Sequence, residues 1–193
     1  MDLIDPIVGM VDKTEDLLGH SPHPAIVAVP IGAWTVSNIC DGLALVTGKR
    51  GYDDAARLSM AVGLVGAAGA VVTGLRDYSH IPTDRPSHAI ATKHAVGNAV
   101  VVTLFATSYV LRVRDHKANQ PTGLLARVLG IAGGGLSLYT AWLGGVLVEE
   151  HGEGVKPVME GMEADERDGQ LEDESRGRER LTPESPLGLQ AGA

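Results

Sequence analysis

Histidine is the residue type in this chain with the clearest capacity for chemistry. The seven histidines are scattered along the sequence, at His20, His23, His80, His88, His94, His116 and His151. Imidazole is a common metal ligand and is the side chain that titrates near neutral pH. These residues can hold a metal or a haem iron, or can relay protons, if the fold brings several of them together.

Polar side chains also recur along one long apolar segment. They share a face with apolar neighbours in the series His23, Val27, Pro30, Trp34, Asn38 and Asp41. Spacings of three and four residues place such a series on one face of a helix. A second pair, His94 and Asn98, has the four-residue spacing that puts both side chains on one helix face. Because polar groups are costly in hydrocarbon, both faces are expected to point into a bundle.

Four runs of the sequence are nearly free of charged residues and are long enough to cross a membrane. They cover residues 24–46, 58–75, 95–111 and 128–148. A span needs about 20 mostly apolar residues, and short connections place consecutive helices side by side and antiparallel. The sequence predicts an all-α, integral membrane four-helix bundle of up-down-up-down topology at residues 23–150, preceded by an aqueous segment at 1–22.

Charge is distributed very unevenly along the chain. The 193 residues carry a net charge of −8, yet residues 1–148 have equal numbers of acidic and basic side chains. The surplus acids all lie in residues 149–193. Residues 151–193 are too polar to form a core and are predicted to be a disordered acidic tail. No basic stripe with interleaved aromatics indicates nucleic-acid binding. No enzyme motif and no internal repeat of fixed period is evident.

The predicted topology sorts the histidines. We call the membrane side of the N-terminus side A and the opposite side B. Four spans return the C-terminus to side A, so six of the seven histidines lie there and only His116 lies on side B. Seven lysines and arginines flank the spans on side B against five on side A. Basic residues are retained in the cytoplasm, which predicts a cytoplasmic side B and extracytoplasmic termini.

His23 and His94 open two parallel helices and are expected to approach each other at similar depth. Inward side chains on facing helices form the cofactor sites of such bundles. Two facing imidazoles fit axial ligation of haem b, with Trp34 and Asn98 beside the cofactor. The alternative is a mononuclear transition metal, for which a further ligand would come from His20 or His151.

Asp41 lies at the other end of the first span, about 27 Å from His23 along the helix axis. An ion pair with Arg57, Arg112 or Arg127 is the favoured interpretation for this carboxylate. A proton path through Asn38 and Asp41 is the alternative, because ionisable groups inside membranes often serve transport.

Three stretches of the sequence resemble a known family. They are GHSPHPAIVAVPIGAW with Asp41, then KHAVGN, then WLGGVLVEEHGEGV. Together they are similar to the bacterial membrane family catalogued as domain of unknown function 2231, over roughly residues 19–155. The resemblance implies four spans in a bacterial plasma membrane. Some members resemble this chain fused to a Rieske iron-sulfur domain, which implies a role near extracytoplasmic electron transfer.

Two functions from different classes follow from these observations. The first is a membrane protein that binds haem b or a metal through side A histidines, for electron transfer or redox sensing, with a Rieske-type or other electron-transfer protein as partner. The second is a membrane scaffold or assembly subunit without a cofactor, in which the histidines are packing groups. Lipid is the expected surrounding in both cases, and self-association is compatible with either. A proton-coupled transporter is a weaker third hypothesis, because four spans contain no pair of broken-helix repeats.

Overall fold

The computed structural model describes residues 5–181, and within this range the chain forms helices and no strand. The helices are α1 (Asp5–Leu18), α2 (His23–Thr47), α3 (Arg50–Ser79), α4 (Pro86–Lys117), α5 (Leu124–Glu149) and α6 (Lys156–Leu181). Helices α2 to α5 are each long and apolar enough to cross a membrane. The predicted all-α, four-span architecture is confirmed.

Local sequence explains where the spanning helices begin and end. Helix α4 starts at Pro86, where the missing N–H of proline costs no helical hydrogen bond. Helix α2 stops at Gly48, which has a φ of 67° and donates its N–H to the Ala44 carbonyl. Glycine adopts this left-handed conformation without strain. The chain then turns within Gly48 and Lys49, so this connection is shorter than the sequence predicts.

The four spanning helices form a closed ring. Helix α2 packs along α3, α4 packs along α5, and contacts between α3 and α4 and between α2 and α5 complete the bundle. Helices α2 and α4 therefore lie diagonally and run in the same direction. The rings of Trp34 and Phe105 stack between them, with centroids 4.0 Å apart and planes inclined by 13°. Large apolar side chains such as Val65 and Leu138 are exposed on the outside, as lipid-facing residues are.

The two hairpins, α2–α3 and α4–α5, have matching residues at constant offsets. Residues of α4 lie 71 positions after their counterparts in α2, as in the pairs His23/His94, Trp34/Phe105, Ser37/Ser108 and Asp41/Arg112. Residues of α5 lie 70 positions after their counterparts in α3, as in Ala56/Ala126, Arg57/Arg127, Gly63/Gly133 and Gly74/Gly144.

The contacts made by these residues repeat as well. The Ser37 hydroxyl donates to the Ala56 carbonyl over 2.9 Å, and the Ser108 hydroxyl donates to the Ala126 carbonyl over 2.5 Å. Gly63 faces the Trp34 ring, as its counterpart in α5 faces Phe105. Such repetition is produced by two parallel hairpins around an approximate two-fold axis. The sequence interpretation that found no repeat is therefore wrong at the level of structure.

Helix α1 lies in the segment predicted only to be aqueous. It contacts α3, because the Arg76 guanidinium binds two of its carboxylates. Arg76 Nε donates to Asp12 over 2.9 Å, and Nη1 pairs with Glu15. This ion-pair cluster holds α1 at the side A end of the bundle.

The C-terminal unit begins at residue 155. The structure describes helix α6 over much of the segment that the sequence predicts to be disordered. Its described side chains from Val158 to Glu174 are mostly exposed, in agreement with the prediction that this segment builds no core. Closely spaced acids and bases can support such a helix through local pairs. The last part of the predicted tail, 182–193, lies outside the described residues.

A candidate histidine site at side A

The surroundings of His94 define the protonation of its ring. Nδ1 lies 2.8 Å from the Thr140 carbonyl on α5. A carbonyl can only accept, so Nδ1 carries a proton and donates it. The neutral ring then has its lone pair on Nε2, which accepts from the Asn98 amide over 3.1 Å. The sequence-predicted pair of His94 and Asn98 is thus in direct contact.

His23 is held in the same way from the other half of the bundle. Its Nδ1 lies 3.0 Å from the Thr73 hydroxyl on α3. That hydroxyl donates to the Gly69 carbonyl over 3.1 Å, so its oxygen accepts the proton from His23 Nδ1. The lone pair of His23 is therefore on Nε2, which makes no hydrogen bond among residues 5–181.

Glycines allow both imidazoles to lie against the neighbouring helix. A Cβ added at Gly74 would lie 2.8 Å from Cε1 of His23, and one added at Gly144 would lie 3.1 Å from Cε1 of His94. Because the two glycines are equivalent in the repeat, the two rings occupy equivalent niches.

Other predicted ligands lie elsewhere. His20 is exposed and its Nδ1 lies 3.0 Å from the Ser21 carbonyl. Over residues 5–181, no three His, Cys, Asp or Glu side chains gather as a metal-binding group. His20 and His151 therefore do not join His23 and His94. Trp34 stacks on Phe105 in the core, about 16 Å deeper along α2 than His23.

The Asp41 ion pair is present at the side B end of the bundle. Arg112 donates to both carboxylate oxygens, with Nη1 at 2.8 Å from Oδ1. Arg127 Nη1 lies 3.0 Å from Asp41 Oδ1 and 3.0 Å from the Asp41 carbonyl. Arg57 instead faces Asp54 at 3.5 Å, and the Asn38 amide donates to the Gly130 carbonyl over 3.2 Å.

The sequence interpretation missed the groups that orient the histidines. Thr73 and Thr140 were not identified, because a threonine in an apolar helix is an ordinary residue. The 71-residue offset between His23 and His94, together with the 70-residue offset between Gly74 and Gly144, could have indicated two equivalent niches.

The donor set fits one class of cofactor better than another. A metal-ligating histidine usually donates one ring N–H to a protein oxygen and binds the metal through the other nitrogen. Both His23 and His94 have this arrangement, with Nε2 as the basic nitrogen. Two such nitrogens would be able to hold a haem iron, which proteins bind through histidine. A mononuclear zinc-like site needs three or four protein ligands, which are not gathered in the described part of the chain.

Comparison with known proteins gives one match. A family model described as "Predicted membrane protein (DUF2231)" matches residues 19–157, which is more than half of the chain and includes the four spanning helices. Searches of curated proteins and of solved structures gave no match.

Proposed function

The chain belongs to the DUF2231 family of predicted membrane proteins, and from this premise we propose that its bundle binds haem b between His23 and His94. A transition metal ion bound by the same two nitrogens is the weaker alternative, because it would need further ligands that are not gathered in the described part of the chain. The bound group would serve electron transfer or redox sensing. In this proposal side A is the extracytoplasmic face of a bacterial plasma membrane, and the partner is a Rieske-type or other electron-transfer protein.

One observation carries this proposal. The two histidines are equivalent in the repeat, and each has its Nδ1 proton bound to a protein oxygen while Nε2 is left basic. Hydrogen bonding at Nδ1 fixes the orientation of the ring and raises the basicity of the ligating nitrogen. Structural packing alone does not require the same tautomer in both rings.

The residues around the pair have defined tasks. Thr73 and the Thr140 carbonyl hold the rings in their tautomers, and the two facing glycines leave room for each ring at its helix. Asn98 already has a second acceptor, the His94 carbonyl at 2.9 Å, so its amide can release Nε2 and remain hydrogen-bonded. When bound, haem supplies one-electron chemistry; the chain supplies ligation and orientation.

A cofactor-free scaffold is the second candidate function. The observation that favours it is that both ring nitrogens of His94 already have protein partners. In that case the two histidines serve as hydrogen-bonded packing groups between helices.

Spectroscopy and metal analysis of the full chain separate these candidates. The protein is expressed with haem supply, purified in a neutral detergent, and measured oxidised and dithionite-reduced. Our proposal predicts a Soret band and a reduced α band, or otherwise a stoichiometric metal, that are lost in His23→Ala and in His94→Ala. His80→Ala is the matched control, since His80 is exposed on the same side. A colourless, metal-free protein that remains helical contradicts the proposal and supports the scaffold.

The orientation is tested separately. Protease added to intact cells is expected to cut between Glu160 and Arg180 in α6. Cleavage only after the cells are opened would place side A in the cytoplasm.

A further inference from the structure

A cavity of about 270 Å³ opens at the side B end of the bundle, far from the histidine pair. It lies where α3 begins and α4 ends. Its charged walls are formed by Arg50, Asp53, Asp54, Arg57, Arg112 and His116. Amide and hydroxyl groups of Asn119, Gln120 and Thr122 complete the lining. The cavity is thus strongly polar and lies at the level of the membrane–water interface.

The internal repeat shows that one arginine in this cavity lacks the partner its counterpart has. Arg127 donates to Asp41 over 3.0 Å and to Asp53 over 2.6 Å. Its counterpart in the first hairpin is Arg57. The counterpart of Asp41 is Arg112, so an arginine occupies the position equivalent to the carboxylate that Arg127 binds, and it lines the cavity together with Arg57.

The hydrogen bonds of Arg57 reflect this difference. Nη2 reaches Asp54 only at 3.5 Å, and Asp54 is nearer to His116 Nδ1, at 3.0 Å. Arg57 Nε is buried and has no hydrogen-bond partner among the residues that the structure describes. A buried donor without an acceptor is destabilising, so an acceptor that enters the cavity and reaches this donor removes an existing penalty.

The charges around the cavity leave room for an anion. The cavity and the side chains bonded to its walls include four guanidinium groups and three carboxylates. The guanidinium groups are those of Arg50, Arg57, Arg112 and Arg127, and the carboxylates are those of Asp41, Asp53 and Asp54. One positive charge is therefore in excess before His116 is counted.

We propose that this cavity binds a phosphate group, with Arg57 as its main ligand and Arg50 and His116 beside it. Planar guanidinium donors bind both carboxylate and phosphate groups through paired hydrogen bonds, and a phosphate group has more acceptor oxygens to offer to several donors at once. The group belongs either to free phosphate or to a phospholipid headgroup at the same interface. This site is independent of the proposed haem function.

Thermal unfolding of the full chain in neutral detergent tests the site, followed by the fluorescence of its two tryptophans. The first probe is inorganic phosphate at constant ionic strength. The second is phosphatidic acid in mixed micelles, compared with diacylglycerol of the same acyl chains, which lacks the phosphate. A saturable rise of the unfolding temperature with inorganic phosphate identifies free phosphate, and a rise with phosphatidic acid alone identifies a lipid headgroup.

Matched variants decide whether Arg57 is responsible. Arg57→Gln is expected to raise the probe concentration that gives half of the full rise in unfolding temperature about tenfold or more, as loss of a charged hydrogen bond does. Arg114→Gln removes the same charge from a side chain that is 73% exposed at the same membrane side, and is expected to respond like the wild type. Asp54→Asn removes the competing carboxylate and is expected to tighten binding, which keeps the test valid if Arg57→Gln does not fold.

Three results would overturn the proposal. They are no rise with either probe, equal responses of Arg57→Gln and Arg114→Gln, and weaker binding by Asp54→Asn. Because the readout is stability with added phosphate, these results leave the haem proposal unaffected.

Discussion

The hairpins α2–α3 and α4–α5 are alike at one end of the bundle and opposite at the other. At side A each contributes a histidine that faces a glycine, His23 with Gly74 and His94 with Gly144. At side B equivalent positions hold Asp41 and Arg112, which are of opposite charge and pair with each other. Identical residues around a two-fold axis place two imidazoles in equivalent niches, whereas unlike residues form an ion pair that holds the two hairpins together.

The contrast extends to the arginines of α3 and α5. Arg127 is engaged by two carboxylates, while its counterpart Arg57 has one distant carboxylate and a buried Nε without a partner in the described part of the chain. Arginine thus stabilises the structure in the second hairpin, whereas at the equivalent position of the first hairpin it keeps a donor that can bind an added acceptor. Substitutions at equivalent positions separate these roles.

The largest effect is expected at the side B ion pair. Asp41→Asn leaves Arg112 and Arg127 buried without their shared carboxylate, and breaking a buried pair in this way costs about 3–5 kcal/mol. Arg57→Gln is expected to cost less than about 1 kcal/mol, because its ion pair with Asp54 is long and partly exposed. Free energies of unfolding in mixed micelles measure both changes. Equal losses of stability in the two variants would show that these charged groups contribute equally to the stability of the two hairpins.

Removing the threonine hydroxyl that orients His23 should lower the affinity of the proposed cofactor site. Thr73→Val deletes the acceptor of the His23 Nδ1 proton, and loss of such a partner typically lowers affinity about 10–100-fold. Haem titration of the purified chain measures the effect. Thr103→Val is the control, because its hydroxyl bonds only within its own helix. Unchanged affinity in Thr73→Val would mean that the His23 tautomer does not matter for binding.

Methyl groups placed at the central glycines should separate the helices in both hairpins. A Cβ at Gly63 would lie 2.3 Å from Trp34 Nε1, and one at Gly133 would lie 2.9 Å from Phe105 Cε2. Overpacking of this kind lowers stability by about 1–3 kcal/mol. Because the Cβ at Gly63 would lie closer to its neighbour, Gly63→Ala is expected to be more destabilising than Gly133→Ala. Gly135→Ala meets nothing within 4 Å and serves as control. A reversed order would contradict the packing described for the stacked rings.

The smallest effects are expected at the equivalent serines. Ser37→Ala and Ser108→Ala each remove one buried hydrogen bond to a carbonyl of the neighbouring helix. Each should lower stability by about 0.5–1.5 kcal/mol, and the two losses should be similar. A large difference between them in unfolding titrations would show that the hairpins are not equivalent at this level.

Much of the fold followed from the sequence because hydrocarbon imposes simple rules. Apolar run length identified four spans, and span parity assigned six of the seven histidines to one end. The repeat was hidden, because its identical pairs such as His23 and His94 are widely spaced, and other matching positions hold unlike residues such as Asp41 and Arg112. Lipid-facing positions between them need only be apolar, so they carry no recognisable pattern.

The site was predictable in part. His94 and Asn98 were paired from their spacing, and Asp41 was expected to bind an arginine. The choice among three arginines depends on which helix faces which, and spacing along the chain does not contain that information. For the same reason Trp34 was assigned to the histidines, although it lies on the correct helix face at a different depth.

Exchange of the two opposite charges tests the equivalence of the hairpins most directly. Asp41→Arg and Arg112→Asp each place like charges together and should each destabilise the bundle strongly. In the double variant the pair is restored in reverse, and Arg57 can bind the carboxylate introduced in α4 as Arg127 binds Asp41 in the wild type. We predict that the double variant is more stable than either single variant, measured as free energies of unfolding in a double-mutant cycle. Additive losses would contradict the two-fold arrangement of the bundle.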